Sequence, residues 1–195
     1  NDEVAITAGA KTNSVDISEL KATNLSGTVT LNNTTASNVT LKLGNFASNV
    51  VWELGATLTT SKLSGDVGSS EENLIEIAAA AATELTTIDI EALTGNFKSV
   101  ITLTTANSNV TTVKGSEKNF DTLSLDGTSP ADFSKLSLTN IDKIDVSGTE
   151  VVTITYKTVQ SVSSVDMTDT IAAPETNKLT VKAGDDDITI NLSKI

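Results

Sequence analysis

Five copies of one six-residue phrase lie between Asn119 and Thr168. They read FDTLSL at 120–125, FSKLSL at 133–138, IDKIDV at 141–146, VVTITY at 151–156 and VSSVDM at 162–167. Each copy has an apolar residue, two spacers, an aliphatic residue, one short polar spacer and a further apolar residue. The alternation in the last three positions is typical of a β-strand with one buried face. This stretch therefore predicts a repeat protein that is built from strands.

A looser form of the phrase continues through the rest of the chain. Fifteen marker residues from Val29 to Ile188 span 159 residues, which is about 11 residues per strand. Two such strands make a coil of about 23 residues, which fits one rung of a parallel β-solenoid with two or three faces. The alternative is an antiparallel β-sandwich, which also shows turn signals every 8–12 residues. We favour the all-β, parallel β-solenoid (β-helix), because stacking of like residues on like residues explains why the phrase recurs.

The phrase also predicts which side chains form the core. The positions expected to point inward are Leu123, Leu125, Leu136, Leu138, Ile144, Val146, Ile154 and Val165. The spacers expected to point outward are Ser124, Ser137, Asp145 and Asp166. A second prediction concerns residues 71–84, where a five-alanine run and a capping-box pattern allow a helix. We favour a strand at Ile75–Ile77 with an Ala-rich turn, because this keeps the spacing of the repeat.

Composition narrows the classes of function. The net charge is −12, and all thirteen basic residues are lysines, so no basic face is available for nucleic acid. No apolar run is long enough for a membrane-spanning helix. Cysteine is absent, which suits a secreted, acidic β protein that needs no oxidation step. We expect residues 1–195 to form a single domain, a fragment of a larger extracellular protein.

The inventory of reactive side chains is short. The chain has no His, Cys or Arg, which excludes histidine-based triads, thiolate chemistry and arginine phosphate clamps. Carboxylate pairs such as Asp142 with Asp145, or Glu71 with Glu72, remain as candidates for glycoside hydrolysis. We interpret these carboxylates as solvated strand and loop residues, and the sequence predicts no enzyme activity.

One acidic turn suggests a metal. Asp185, Asp186 and Asp187 follow Gly184 and precede an aliphatic strand pattern. Carboxylates concentrated in a turn suit Ca²⁺, which takes six to eight oxygen ligands. The segment also matches the second half of the calcium-binding nonapeptide of β-rolls, G-G-x-G-x-D-x-U-x, but the first half is missing. The acidic surface turn and the calcium site both remain open at this point.

Two segments carry a family resemblance. Phe120–Gly127 and Asn140–Gly148 resemble the repeats of bacterial surface-layer (S-layer) proteins and of RTX-like adhesins exported by type I secretion. That resemblance implies an extracellular, cell-surface location, a self-assembling structural role and a calcium-binding region that follows the solenoid. The partners it implies are other copies of the chain. The alternatives are a module that binds surface polysaccharide or lipopolysaccharide and, third, a β-helix enzyme acting on polysaccharides.

Overall fold

The computed structural model describes residues 4–8, 14–19, 27–33, 38–45, 50–55, 57–68, 73–127, 129–148, 151–167 and 178–183. In chain order the strands are β1 (Val4–Ala8), β2 (Ser14–Asp16), β3 (Gly27–Asn33), β4 (Asn38–Leu43), β5 (Val50–Leu54), β6 (Thr60–Asp66), β7 (Leu74–Ala78), β8 (Thr87–Thr94), β9 (Lys98–Thr104), β10 (Thr112–Lys114), β11 (Phe120–Gly127), β12 (Ala131–Asp132), β13 (Ser137–Thr139), β14 (Lys143–Gly148), β15 (Val151–Thr155), β16 (Ser164–Met167) and β17 (Lys178–Lys182). A 3-10 helix covers Thr105–Asn107, and helix α1 covers Tyr156–Gln160.

These strands form three parallel sheets. The first sheet has the order β1-β3-β5-β7-β9-β11-β14-β16, the second β13-β10-β8-β6-β4-β2 and the third β12-β15-β17. The chain alternates between the first and second sheets as far as β11, so each coil lies on the one before it. Every pairing among the described strands is parallel, which confirms the solenoid and rules out the antiparallel sandwich.

Coil length varies around the predicted value. Gly27 pairs with Val50, and Thr122 pairs with Lys143, so both steps are close to the expected coil length. The longest described step joins Ser64 to Ala92, next to an irregularity in the register between β6 and β8. Most of this variation lies in the connections between strands, whereas in the longest step one extra residue lies within β8, between Asp89 and Ala92.

The core consists of columns of aliphatic side chains that run from coil to coil. One inward column of the first sheet contains Val29, Trp52, Ile77, Ile101, Leu123, Ile144 and Val165, all of them buried. The neighbouring outward column contains Thr30, Glu53, Ala78, Thr102, Ser124, Asp145 and Asp166. Alternation places every second residue of a strand on the same face, so the aliphatic ladder fills the narrow interior.

The predicted inward residues are confirmed. Seven of them are buried, and Leu138 is partly buried against the core. The four predicted outward spacers are partly or fully exposed. The strand at Leu74–Ala78 is also confirmed, and residues 79–86 form turns, so the helix considered for 71–84 is not found in its described part.

In two copies of the phrase the first position, for which the pattern predicted no orientation, does not lie in the core. Phe120 is 50% exposed, and in β15 the buried residues are Val152 and Ile154 while Val151 is only partly buried. Successive residues of a strand point to opposite faces, and the first position lies three residues before an inward residue. The first position therefore faces outward whenever it is already part of the strand. Phe133 precedes its strand through a turn, so it escapes this rule and is buried.

After β11 the solenoid changes its cross-section. The chain now enters the third sheet before it reaches the second, as in the passage from β12 to β13. In the next coil, Ala131 pairs with Val152. If the same alignment continues along both coils, residues 135–139, which contain β13, lie opposite residues 156–160, which form α1. Helix α1 therefore occupies the coil position of a strand, and β13 is the last described strand of the second sheet.

Candidate functional site

The structure describes some of the residues that were predicted to bind calcium or to form carboxylate pairs, and others lie outside the described residues. Asp185, Asp186 and Asp187 lie outside the described residues, as do Glu71 and Glu72, so the calcium site remains a prediction. The carboxylate of Asp142 accepts a hydrogen bond from the backbone N–H of Asp121 at 2.9 Å. Asp145 lies on the outer face of the first sheet, beside Ser124 and Asp166. Asp142 thus has a structural partner, which the sequence pattern did not indicate.

Asp121 is the one fully buried carboxylate among the described residues. It accepts hydrogen bonds from the Ser99 hydroxyl at 2.6 Å and from the Ser116 backbone N–H. Burial raises the pKa of the Asp121 carboxyl, the hydrogen bonds from Ser99 and Ser116 act against that rise, and nearby Asp142 adds to it. A side chain at Gly115 would collide with the Asp121 carboxylate and with the Asn140 carbonyl oxygen. The cluster joins three successive coils at the corner where the chain enters the first sheet.

Asn107 also joins neighbouring coils, at the corner where the chain leaves the first sheet after β9. Its side-chain amide is fully buried and donates to the carbonyl oxygens of Ala79 at 2.8 Å and Ala82 at 3.1 Å. Its side-chain oxygen accepts from the backbone N–H of Thr104 at 2.9 Å. One amide therefore satisfies three backbone groups of two coils, which explains why a polar residue is tolerated in the interior.

The outer face of the second sheet carries lysines and carboxylates in alternation. Along one column, Lys62, Asp89 and Lys114 are register neighbours. Lys114 forms ion pairs with Asp89 at 3.7 Å and with Glu91 at 3.4 Å, and these carboxylates raise the pKa of Lys114. Lys42 pairs in the same way with Asp16 at 2.9 Å. Much of the charge on this face is thus matched within the face.

A groove lies where the second sheet ends. It has a volume of about 420 Å³ between the segment that leads into β13 and helix α1, and its lining residues are Ser134, Lys135, Leu136, Ser137, Leu138, Thr155, Tyr156, Lys157, Thr158, Ser161 and Ala183. Two of these residues are lysines and none is a carboxylate. Sequence reasoning missed the groove, because α1 has only five residues and its apolar periodicity is too short to recognise.

Hydrogen bonds hold the wall that α1 forms. The Thr158 hydroxyl, which is buried, donates to the carbonyl oxygen of Leu136 at 3.1 Å and so ties the helix to the coil below. Thr155 caps the helix by accepting from the backbone N–H of Thr158 at 3.2 Å. At the other end, the Ser161 hydroxyl donates to the carbonyl oxygen of Thr158 at 2.7 Å. The groove is therefore shaped by bonded backbone on both sides.

The two lysines of the groove have no carboxylate partner in the described part of the chain. Four other lysines, namely Lys42, Lys114, Lys143 and Lys182, each form an ion pair with a carboxylate within 4 Å. Lys135 and Lys157 form no such pair with any described residue, and both are exposed. They belong to adjacent coils and line one groove. The arrangement concentrates unmatched positive charge in a chain whose net charge is −12.

Comparison with known proteins gives no relative: no family model, no curated protein and no solved structure matches the chain. Within the described ranges, no helix is long and apolar enough to cross a membrane. The same part of the chain contains no cluster of three or more carboxylate, histidine or cysteine residues that could hold a metal ion. The groove places two lysines, several hydroxyl groups and one tyrosine ring around a single recess.

Proposed function

We propose that this chain is a structural, non-catalytic segment of a self-assembling cell-surface layer or of a secreted adhesin. The observation that carries the proposal is the first sheet, whose eight parallel strands continue from β1 to β16 without a break in their order. At a strand spacing of about 4.8 Å, this makes a rod section about 34 Å long. Such a section spaces and orients whatever is attached to its ends.

The buried polar groups support this proposal. Asp121, Asn107 and Thr158 all bond to groups of neighbouring coils. Each of them holds one coil on the next, and their hydrogen-bonding groups are used in doing so. An acidic surface rich in Thr, Ser and Asn keeps isolated copies soluble, so assembly needs complementary patches or bridging divalent ions.

The test is assembly of the purified chain. We expect addition of about 10 mM CaCl₂ to increase the sedimenting mass in analytical ultracentrifugation, since extracellular calcium modules have dissociation constants of about 10⁻⁴–10⁻³ M. The D186N/D187N double variant should lose this response. A matched control, D126N/D145N, removes two carboxylates from the outer face of the first sheet and should keep it.

Two outcomes would contradict the proposal. If the chain remains a monomer at every calcium concentration, this segment does not drive assembly. Release of new reducing or unsaturated sugar ends from an acidic polysaccharide would instead identify an enzyme, the third of the functions that the sequence left open.

A further inference from the structure

We propose that the groove between β13 and α1 binds a negatively charged saccharide, of the kind that carries uronic acid groups. This inference goes beyond the structural role and does not depend on it. It assigns the ligand class from three properties of the groove: its origin as an interruption of the ladder, its charge and its polar lining.

The groove exists because one coil breaks the pattern of its neighbours. Through β10 and β13 the second sheet stacks strand on strand. Replacing the next strand by α1 opens a space of about 420 Å³. That volume lies within the range of about 300–1,000 Å³ that is usual for small-molecule sites.

The charge of the groove favours an anion. Lys135 lines it from the coil of β13 and Lys157 from the first turn of α1, and no described carboxylate is among its lining residues. No described carboxylate lies within 4 Å of either ammonium group, so no ion pair with the described chain competes with an anionic ligand. A lysine ammonium is a compact point charge on a flexible stem, so it accepts the varied positions of carboxylates along a polysaccharide better than a rigid bidentate group does.

The remaining lining favours a sugar over a bare anion. The Ser137 hydroxyl can both donate and accept hydrogen bonds, as the hydroxyl groups of a sugar ring do. The Ser161 and Ser134 hydroxyls already donate to the Thr158 carbonyl oxygen and to the Asp132 carboxylate, so they offer a sugar their acceptor lone pairs. Tyr156 adds the only tyrosine ring of the chain, which is partly buried at the same place. An aromatic ring with a polar end suits the mixed apolar and polar faces of a pyranose. The combination of two cations, hydroxyls and one ring indicates an acidic sugar.

The test is isothermal titration calorimetry with trigalacturonate as the probe. Maltotriose serves as the neutral sugar of equal length, and inorganic phosphate serves as the simple anion. We expect trigalacturonate to bind the wild-type chain more tightly than either of these. The K135Q/K157Q double variant should weaken trigalacturonate binding at least ten-fold.

A matched control separates the groove from general charge effects. K62Q/K98Q removes the same charge from lysines on the outer faces of the second and first sheets and should leave the affinity unchanged. This control also covers a second recess of the second sheet, which lies between β4 and β6 and contains Lys62 as its single lysine. All four lysines are exposed, so each variant should keep the wild-type melting temperature.

Three results would overturn the proposal. They are no binding of trigalacturonate at millimolar concentration, equal weakening by the two double variants, and binding of phosphate as tight as that of trigalacturonate. None of these outcomes bears on the calcium-dependent assembly of the chain.

Discussion

The coils of residues 73–127 and those of residues 129–167 are built from the same kind of parallel strand, but they differ in the arrangement of their sheets. In the first region, two sheets alternate and aliphatic columns continue from coil to coil. In the second region, a third sheet begins at β12, the second sheet has its last described strand at β13, and α1 fills the next position. The first region provides a regular surface on which Lys114 pairs with Asp89 and Glu91. The second provides a recess with two unmatched lysines.

This difference teaches that an interruption of the ladder can place side chains of two coils around one groove, which is the ligand site that we propose. Regular stacking brings unlike charges of neighbouring coils together, as Lys114 does with Asp89. Where a helix takes the place of a strand, Lys135 and Lys157 of adjacent coils line one groove, and neither has a partner carboxylate within 4 Å in the described chain. The predictions below test each side of this comparison, beginning with the largest effect.

The regular region should depend most strongly on its aliphatic columns. Leu123 is fully buried in the inward column of the first sheet. Leu123→Ala should lower the free energy of unfolding by about 2–5 kcal/mol, the usual loss for a buried leucine. Ser124→Ala, one residue away on the outer face, should change it by about 0.5 kcal/mol or less. Urea denaturation measures both, and equal losses would contradict the one-sided strand.

The corner residue Asn107 should rank second. Asn107→Ala leaves the carbonyl oxygens of Ala79 and Ala82 and the N–H of Thr104 without their partner. Buried polar groups that lose a hydrogen bond cost about 1–3 kcal/mol. Thermal unfolding should show a loss in this range, whereas Asn109→Ala, at a nearby exposed position, should have little effect. If Asn107→Ala were as stable as the wild type, the amide would not be joining the coils.

The interrupted region should respond to loss of the bond that holds α1. Thr158→Val keeps the shape of the side chain and removes the hydroxyl that donates to Leu136. We expect a loss of about 1 kcal/mol in the free energy of unfolding. Trigalacturonate affinity should fall as well, because the wall of the groove is no longer fixed. Unchanged affinity with reduced stability would show that the groove does not need this wall.

The smallest signal should be the pH dependence that comes from Asp121. Its folded-state pKa is raised above the ordinary value of 3.8, so the folded chain retains this proton more strongly than the unfolded chain. Its contribution to stability is therefore fully present below pH 3.8 and is lost as the pH rises through the folded-state pKa. Asp121→Asn has no such proton to lose.

Paired urea titrations between about pH 3 and pH 7 measure this effect. The stability of the wild type relative to D121N should decline as the pH rises. The opposite trend would mean that the hydrogen bonds from Ser99 and Ser116 outweigh burial. Asp132→Asn is the contrasting control: Lys182 and Ser134 lower the pKa of Asp132 to about 2, so its contribution is lost as the pH falls.

Much of the regular region could be predicted from sequence because burial imposes period two on each strand. Leu123 and Leu125 were assigned inward on that ground, and the coil length followed from the spacing of the phrase. The orientation of Phe120 could not be predicted, because the phrase does not reveal at which residue a strand begins. The residue at which the strand begins decides whether the first residue of the phrase belongs to the strand and so faces outward.

The interrupted region could not be predicted in the same way. Helix α1 is far shorter than a helix that is stable alone, and it forms because Thr158 and Val159 pack against the preceding coil. The groove depends on which coil position the helix fills, and this is a property of stacking rather than of local sequence. Similarly, Asp121 is buried among residues from distant parts of the chain, so its environment has no local signature.

The most direct test of the account is the distance between coils along one outward column. The chain has no cysteine, so spin labels can be placed at introduced cysteines alone. Glu53 and Asp145 are four strand spacings apart in this column, and Thr30 and Asp166 are six apart. Pulsed electron paramagnetic resonance should give about 19 Å for the first pair and about 29 Å for the second. Distances that do not grow with the number of coils would contradict the continuous parallel ladder on which the proposed structural role rests.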